Sequence, residues 1–166
     1  MLHKVIIGEP SRYLRMTACA CVMILSLCAS ATEYFVDKNR PDDNGDGKSI
    51  ATAYRTIQAA VDNAKKGDII TVLPGVYDEG EGKKYTSAAA GNVETTARVV
   101  LDKSIWLRSA EGKEKTFIVG SRIANGDETD MRCVSLATSS TIVEGFTICG
   151  GTASDSYGGG VLAEAW

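Results

Sequence analysis

The sequence predicts an all-β chain that folds as a short solenoid of about three stacked coils, with one α-helix near its N-terminal end. Two observations carry this prediction: the apolar runs are short, and they recur in sets. The runs lie at residues 69–73, 75–77, 99–101, 105–107, 117–119, 133–136, 142–143, 146–148 and 161–162, separated by Gly, Asp, Asn, Ser or Lys. Strands this short suit the faces of stacked repeats better than a β-sandwich, whose strands are usually longer.

The sets begin near Ile69, Ile105 and Ile142, which gives internal spacings of 36 and 37 residues. Two polar insertions, at residues 80–97 and 122–131, lengthen these spacings beyond the usual size of a stacked repeat. We expect both insertions to be loops that leave one edge of the solenoid, where binding functions tend to lie. A strand of three residues cannot bury its apolar side alone, so each coil needs a neighbouring coil to cover it.

The helix is predicted at residues 54–65, with Thr52 or Ser49 as its N-cap. Its apolar positions recur at i, i+3, i+4 and i+7 and form one face: Ile57, Ala60, Val61 and Ala64. Gly67 suits the left-handed backbone conformation that often follows the last helical residue. Lys65 and Lys66 lie near the C-terminal end of the predicted helix, where the helix dipole favours cations. We expect this helix to lie across the first coil and to cover an edge that would otherwise recruit other strands.

Residues 1–31 have the pattern of a secretory signal peptide. Three basic residues precede an apolar run at 16–28, and Ala29, Ser30 and Ala31 supply the small residues that a signal peptidase requires. A membrane anchor is the alternative, but the run is shorter than the roughly 20 residues that a spanning helix needs. The segment therefore predicts a secreted or cell-surface protein without a stable membrane span after cleavage, with residues 32–166 as its β domain.

Composition excludes several classes of function. The whole chain carries 18 basic and 21 acidic residues; without residues 1–31 these become 15 and 20, a net charge of −5. That balance does not favour nucleic acid, which would require clustered Lys and Arg. The only histidine, His3, lies in the predicted signal peptide. Cleavage would therefore leave no imidazole for acid–base catalysis or for zinc.

Two cysteines, Cys133 and Cys149, remain after the predicted cleavage. An oxidising compartment would permit a disulfide between them. Each cysteine also continues an apolar strand pattern, in which a buried thiol packs well. The sequence leaves both alternatives open.

Several motifs carry a family resemblance. They are DDNGDG at residues 42–47, TAYRTIQAAVDNA at 52–64, GDIITVLPGVYDE at 67–79, IVEGFTICGG at 142–151 and YGGGVL at 157–162. In this order they resemble the N-terminal cap and first coils of secreted right-handed parallel β-helix proteins, the pectin-lyase-like superfamily. The resemblance implies a right-handed parallel β-helix with a capping helix, and it suggests the N-terminal part of a longer domain. It does not choose between the lyases, hydrolases, esterases and non-enzymatic surface proteins of that superfamily.

The resemblance implies a protein that binds or acts on polysaccharide or a cell-surface glycan, with pectate-lyase-like elimination as the reaction if it is catalytic. The alternatives are a non-enzymatic, adhesin-type repeat domain and an inactive fragment of a longer protein. Charged residues near the predicted strands include Glu144, Glu164, Arg108, Arg122 and Arg132, but the sequence groups them into no catalytic cluster. An enzyme would place several acidic residues and a basic one on one face of adjacent coils, so the catalytic residues stay unassigned.

Two further features have a functional and a structural interpretation. Asp42, Asn44, Asp46 and Gly47 match the first half of a calcium loop, but Ala53 stands where the closing Glu would be. The same residues also form ordinary turns through Asx side chains, so no cofactor is assigned and calcium stays an alternative.

Trp106 alternates with two apolar neighbours and should point away from the core, either as a platform for sugars or as a packed corner residue.

Overall fold

The regular structure of the described residues consists mainly of short strands, and most of them are parallel. The computed structural model describes residues 30–89, 91–120, 130–153 and 158–164. The strands are β1 (Glu33–Val36), β2 (Ile69–Val72), β3 (Gly75–Tyr77), β4 (Lys83–Ser87), β5 (Val93–Leu101), β6 (Trp106–Ser109), β7 (Thr116–Val119), β8 (Arg132–Leu136), β9 (Ile142–Glu144), β10 (Thr147–Cys149) and β11 (Val161–Ala163). One α-helix, α1 (Ile57–Asn63), and a short 3-10 helix (Ile50–Thr52) lie between β1 and β2. This composition agrees with the predicted all-β class.

The strands form three sheets in the described part of the chain. Sheet A has the order β1-β2-β6-β9, sheet B the order β3-β7-β10, and sheet C the order β4-β5-β8-β11. All neighbours are parallel except β4 and β5. In sheet A, Ile69 pairs with Trp106 and Trp106 with Ile142, so the strands recur after 106 − 69 = 37 and 142 − 106 = 36 residues. The predicted second start, Ile105, was wrong by one residue: Ile105 precedes β6 and packs in the core.

The core lies between the sheets and is made of side chains that repeat in register. Tyr34, Ile70, Leu107 and Val143 occupy equivalent positions on the four strands of sheet A. Ile70 and Leu107 are fully buried, as is Ile118 of sheet B. Because successive side chains of a strand point to opposite faces, the residues on either side of this row point outward.

The helix is shorter than predicted and begins later. Its N-cap is Thr56, whose hydroxyl accepts a hydrogen bond from the Ala59 amide at 3.2 Å. The predicted caps were wrong because Ser49 caps the 3-10 helix instead. The predicted apolar face is confirmed, since Ile57, Ala60, Val61 and Ala64 are all buried. Gly67 has the expected positive φ of 92°, but it lies in a turn beyond the C-cap residue.

The helix packs against β1, β2 and β5, and specific hydrogen bonds fix it there. The Gln58 side chain accepts a hydrogen bond from the backbone amide of Val100 at 2.8 Å. The ammonium group of Lys103 donates to the carbonyls of Val61 and Asp62, both at 2.9 Å. These bonds place the helix over the end of the sheets at which the first strands lie.

One predicted loop is a β-hairpin. Residues 80–97 were expected to be irregular, but Lys83–Ser87 pairs antiparallel with the first half of β5. Asn92 adopts a positive φ of 65° in the connecting turn, and its amide donates to the Ser87 carbonyl at 2.8 Å. Strand β4 thereby covers the outer edge of β5. The second predicted insertion, residues 122–131, lies mostly outside the described residues.

Candidate functional site: the outer face of sheet A

The outward side chains of sheet A form two rows that cross all four strands. One row contains Glu33, Ile69, Trp106 and Ile142, and the other contains Phe35, Thr71, Arg108 and Glu144. We call these eight residues the outer face of sheet A. The register brings together charged, aromatic and aliphatic groups that are far apart in the sequence.

A polar network joins the first three strands of this face. The Arg108 Nη2 atom lies 2.8 Å from the Glu33 Oε1 atom, and Arg108 Nε donates to the Thr71 hydroxyl at 2.9 Å. The Thr71 hydroxyl in turn donates to Glu33 Oε1 at 2.5 Å. This Thr71 bond is the main reason that the pKa of Glu33 is lowered, with a further contribution from Arg108. Glu33 is therefore a carboxylate at neutral pH.

Trp106 and Arg108 are stacked on this face. The guanidinium carbon of Arg108 lies 5.1 Å from the centroid of the Trp106 ring, within the range of a cation–π interaction. Ile105 and Leu107 are buried, whereas Trp106 is partly exposed, so the predicted outward orientation of Trp106 is confirmed. The indole Nε1 atom is buried and has no hydrogen-bond partner among the described residues.

Sequence reasoning singled out three members of this face, Trp106, Arg108 and Glu144, but did not bring them together. Arg108 and Glu144 were separate candidates, and the register shows them opposite each other on β6 and β9. Glu33 was missed, although alternation with the inward-facing Tyr34 could have placed it on the outer face. The face therefore combines one arginine with carboxylates from the first and last strands of the sheet. Arg122 lies outside the described residues.

Two other sequence candidates, Glu164 and Arg132, belong to a different cluster beneath the β4–β5 hairpin. The Ser135 hydroxyl donates to Glu164 Oε1 at 3.4 Å, and the Ala88 amide donates to Oε2 at 3.0 Å. The fully buried Arg132 side chain donates to the Thr95 hydroxyl. These contacts tie the hairpin to β8 and to the residue after β11, so this cluster has a structural role.

Tyr85 of the hairpin lies close to the same cluster. Burial is the largest influence on its pKa and raises it above the ordinary value. Ser135 and Arg132 act in the opposite direction, and Glu164 adds to the increase. The phenol is therefore protonated at neutral pH and packs as a neutral group.

A cleft of about 200 Å³ lies between the start of the helix and the loop after β3. The two arginines that line the cleft are already engaged by the protein. Arg98 donates to the carbonyls of Glu79 at 2.8 Å and Val119 at 2.9 Å, and also to that of Gly80. Arg55 forms an ion pair with the Glu79 carboxylate. Burial lowers the pKa of Arg98. Because the guanidinium N–H groups of Arg98 donate to backbone carbonyls, we assign this side chain a structural role in the cleft.

The loop with half a calcium motif is held together by its own side chains. Asp46 accepts hydrogen bonds from the Lys48 amide at 3.0 Å and from the Thr52 hydroxyl at 2.6 Å. Asp42 accepts from the Asn44 amide at 3.0 Å. Across the described residues, no three His, Cys, Asp or Glu side chains converge as a metal site. The bonds from the Asn44 and Lys48 amides are those of Asx turns, the structural interpretation of this motif.

The two cysteines are free thiols in the structure. Cys133 is buried and its Sγ atom donates to the backbone carbonyl of Cys149 at 3.1 Å. Burial is the main cause that raises the pKa of the Cys133 thiol. Cys149 is exposed on β10, which the apolar strand pattern did not predict.

Comparison of the chain with protein-family models, with curated proteins and with solved structures finds no match. Within the described ranges, no helix has the length and apolar character required to cross a membrane.

Proposed function

We propose that this chain is a secreted or cell-surface protein that folds as a right-handed parallel β-helix and binds polysaccharide through the outer face of sheet A. The order of the strands supports the β-helix: β2, β3 and β5 lie in three different sheets, and the next two triplets stack on them in the same order. The signal-peptide pattern of residues 1–31 supports secretion.

The observation that carries the binding proposal is the Trp106–Arg108 stack at the centre of the outer face of sheet A. Aromatic rings pack well against the apolar faces of sugars, and guanidinium and carboxylate groups form strong, directional hydrogen bonds with polar ligand groups. Neighbouring strands lie about 4.8 Å apart, so four strands present a surface roughly 14 Å long. A surface of this length and chemistry suits an extended polymer better than a small molecule.

Binding is favoured over pectate-lyase-like elimination by the state of the charged groups on this face. Elimination requires a base that can accept a proton near neutral pH, and hydrolysis requires a protonated carboxyl group. Arg108 is held by Glu33 and Thr71, and the lowered pKa of Glu33 keeps that carboxylate ionised. The charged groups of this network are engaged with each other, so the network orients the face and supplies no protonated carboxyl group.

The test is binding to a panel of neutral and acidic polysaccharides, measured by affinity gel electrophoresis and calorimetry. Trp106→Ala should weaken binding about tenfold or more, as expected for loss of a central aromatic contact. Phe117→Ala is the matched control, because Phe117 is a partly exposed aromatic on a strand of sheet B. Thermal unfolding of both variants checks that the fold is kept. Equal binding by the two variants, or no binding to any polysaccharide, would contradict the proposed role of this face.

Secretion has an independent test. The full chain expressed in a secreting host should appear in the medium or at the cell surface with Thr32 as its first residue, as N-terminal sequencing would show. Replacing the apolar run 16–28 with a polar segment should keep the protein inside the cell. Retention of the intact N-terminal segment in the mature protein would overturn this part of the proposal.

A further inference from the structure

Two contacting side chains on the outer face of sheet A keep free hydrogen-bonding groups. The bonds that Thr71 and Arg108 donate to Glu33 both end on Oε1, so Oε2 accepts none from the described residues. Arg108 donates through Nε and Nη2, and its Nη1 atom has no partner among the same residues. The Glu33 and Arg108 side chains are 37% and 33% exposed, so a ligand can reach both of them.

This combination of a free acceptor and a free donor suits hydroxyl groups. Neighbouring hydroxyls of one sugar can donate to Glu33 and accept from Arg108, because a hydroxyl serves both as donor and as acceptor. A carboxylate or sulfate group only accepts hydrogen bonds, so it could pair with Arg108 alone. It would also place a second negative charge beside Glu33, which opposes binding. The free groups therefore favour uncharged sugars.

Arg108 is the only cation among the eight residues of this face, and its charge is offset within the protein. Its Nη2 atom lies 2.8 Å from Glu33 Oε1, and Glu144 stands opposite Arg108 in the register of β6 and β9. One cation and two carboxylates give the face a formal charge of 1 − 2 = −1. A polymer that carries negative charges on its sugars would therefore meet net repulsion at this face.

A bridging cation could join an acidic polymer to the two carboxylates of the face, but their placement does not favour one. Glu33 and Glu144 lie on the first and last strands of the sheet, with β2 and β6 between them. Calcium takes about six to eight oxygen ligands. In the described part of the chain, no group of three His, Cys, Asp or Glu side chains could hold a metal ion. Two carboxylates on strands that are not neighbours supply too few ligands for such a bridge.

From these contacts we infer that the ligand of the outer face of sheet A is a neutral polysaccharide, recognised through its hydroxyl groups and the apolar faces of its sugars. This inference rests on the proposed function of the face and specifies the class of its ligand. Trp106 packs against a sugar ring, and Glu33 and Arg108 bond to hydroxyl groups. The charge of Glu33 discriminates against acidic polysaccharides.

The experiment compares polysaccharides that share a backbone and differ in charge. Neutral glucans, mannan and galactan are each paired with their carboxymethylated forms, and methyl-esterified polygalacturonate is paired with its de-esterified form. Calorimetry and affinity gel electrophoresis measure binding at low and high salt, with calcium and with a chelator. Glu33→Gln removes the negative charge from the face and keeps the size of the side chain. Glu94→Gln is the matched control, because it removes the same charge from an exposed ion pair with Lys84 on the hairpin.

The wild type should bind at least one neutral polymer about tenfold more tightly than its acidic form, with little dependence on salt. In Glu33→Gln this preference should fall about fivefold, because the acidic form binds more tightly, whereas Glu94→Gln should keep it. Thermal unfolding verifies that both variants fold.

Equal or tighter binding of the acidic forms, with or without calcium, would overturn the inference, and so would an unchanged preference in Glu33→Gln. If Trp106→Ala abolishes that binding of acidic forms, the proposed function of the face stands and only the class of its ligand is wrong. If the wild type binds no polymer of either kind, both the inference and the proposed function are wrong.

Discussion

Arg108 and Trp106 lie two residues apart on β6, and the guanidinium of Arg108 is stacked 5.1 Å from the centroid of the indole ring. The same guanidinium bonds to Glu33, which is 75 residues away in the sequence. One side chain thus connects the aromatic centre of the outer face to the first strand of the sheet. Its contacts determine both the shape of the face and part of its stability.

Arg108→Lys should weaken this network although it keeps the positive charge. Lysine has a single ammonium group and cannot contact Glu33, Thr71 and the indole face together. The ion pair is partly exposed, so we expect a loss of about 1 kcal/mol in the free energy of unfolding, measured by urea denaturation. Lys115→Ala is the control, because it removes an exposed ion pair with Glu111. Its effect should be about 0.5 kcal/mol or less, and a larger loss than for Arg108→Lys would contradict the importance of the stack.

The stability contributed by Glu33 should depend on pH. Its pKa is lower in the folded protein than in the unfolded chain, mainly because Thr71 donates a hydrogen bond to the carboxylate. The contribution is therefore fully present above the unfolded pKa of about 4.3 and is lost as the pH falls through the lower folded value. Thermal unfolding of wild type and Glu33→Gln from neutral to acidic pH should show a stability difference that shrinks on acidification.

Thr71→Val provides the control for that pH dependence. It removes the hydrogen bond while keeping a branched side chain of similar size, so the pKa of Glu33 should rise toward its ordinary value. Titration of the Glu33 carboxyl by NMR measures this directly. An unchanged Glu33 pKa in Thr71→Val would show that Arg108, and not Thr71, sets the ionisation of this carboxylate.

The apolar pattern predicted the positions of most of the described strands, because each short strand buries one or two large side chains against its neighbours. The row of Ile70 and Leu107 has this origin, and so does the helix face formed by Ile57 and Val61.

The sequence predicted the first residue of the helix less well than it predicted the apolar face. Ser49, Thr52 and Thr56 are all capable N-caps, and the choice of Thr56 depends on Asp43, which accepts hydrogen bonds from the Thr56 amide and hydroxyl.

The hairpin and the polar network on the outer face of sheet A were not predicted, for different reasons. Residues 83–87 and 93–97 are rich in Thr, Val and Tyr, and Gly91-Asn92 between them is a turn signal, so a hairpin could have been read from the sequence. The network of Glu33, Thr71 and Arg108 depends on the parallel register between strands whose paired residues are 69 − 33 = 36 and 106 − 69 = 37 positions apart. The apolar sets predicted this register only to within one residue, since Ile69 pairs with Trp106 and not with Ile105, and a shift of one residue turns every side chain of a strand to the other face.

The two thiols should differ strongly in reactivity. Cys149 is exposed, whereas Cys133 is buried and its pKa is raised, which reduces the thiolate that attacks a reagent. Brief alkylation of the native protein followed by peptide mapping should find the label on Cys149 and little on Cys133. Alkylation after unfolding should label both residues equally and serves as the control. If both thiols resist alkylation until a reducing agent is added, the two cysteines form a disulfide.

Gly45 should be intolerant of any side chain. A Cβ atom there would lie 2.0 Å from the Thr52 carbonyl oxygen, in the loop that covers the edge of β1. Gly45→Ala must therefore move this loop, and we expect a loss of about 1–3 kcal/mol, typical of a side chain forced into occupied space. Gly112→Ala is the control, since its φ is positive but its Cβ would meet no atom within 4 Å, so backbone strain alone should cost about 1 kcal/mol. Urea denaturation of the two variants compares the effect of the clash with that of the backbone strain. Equal losses in the free energy of unfolding would show that the loop moves without disturbing the edge of β1.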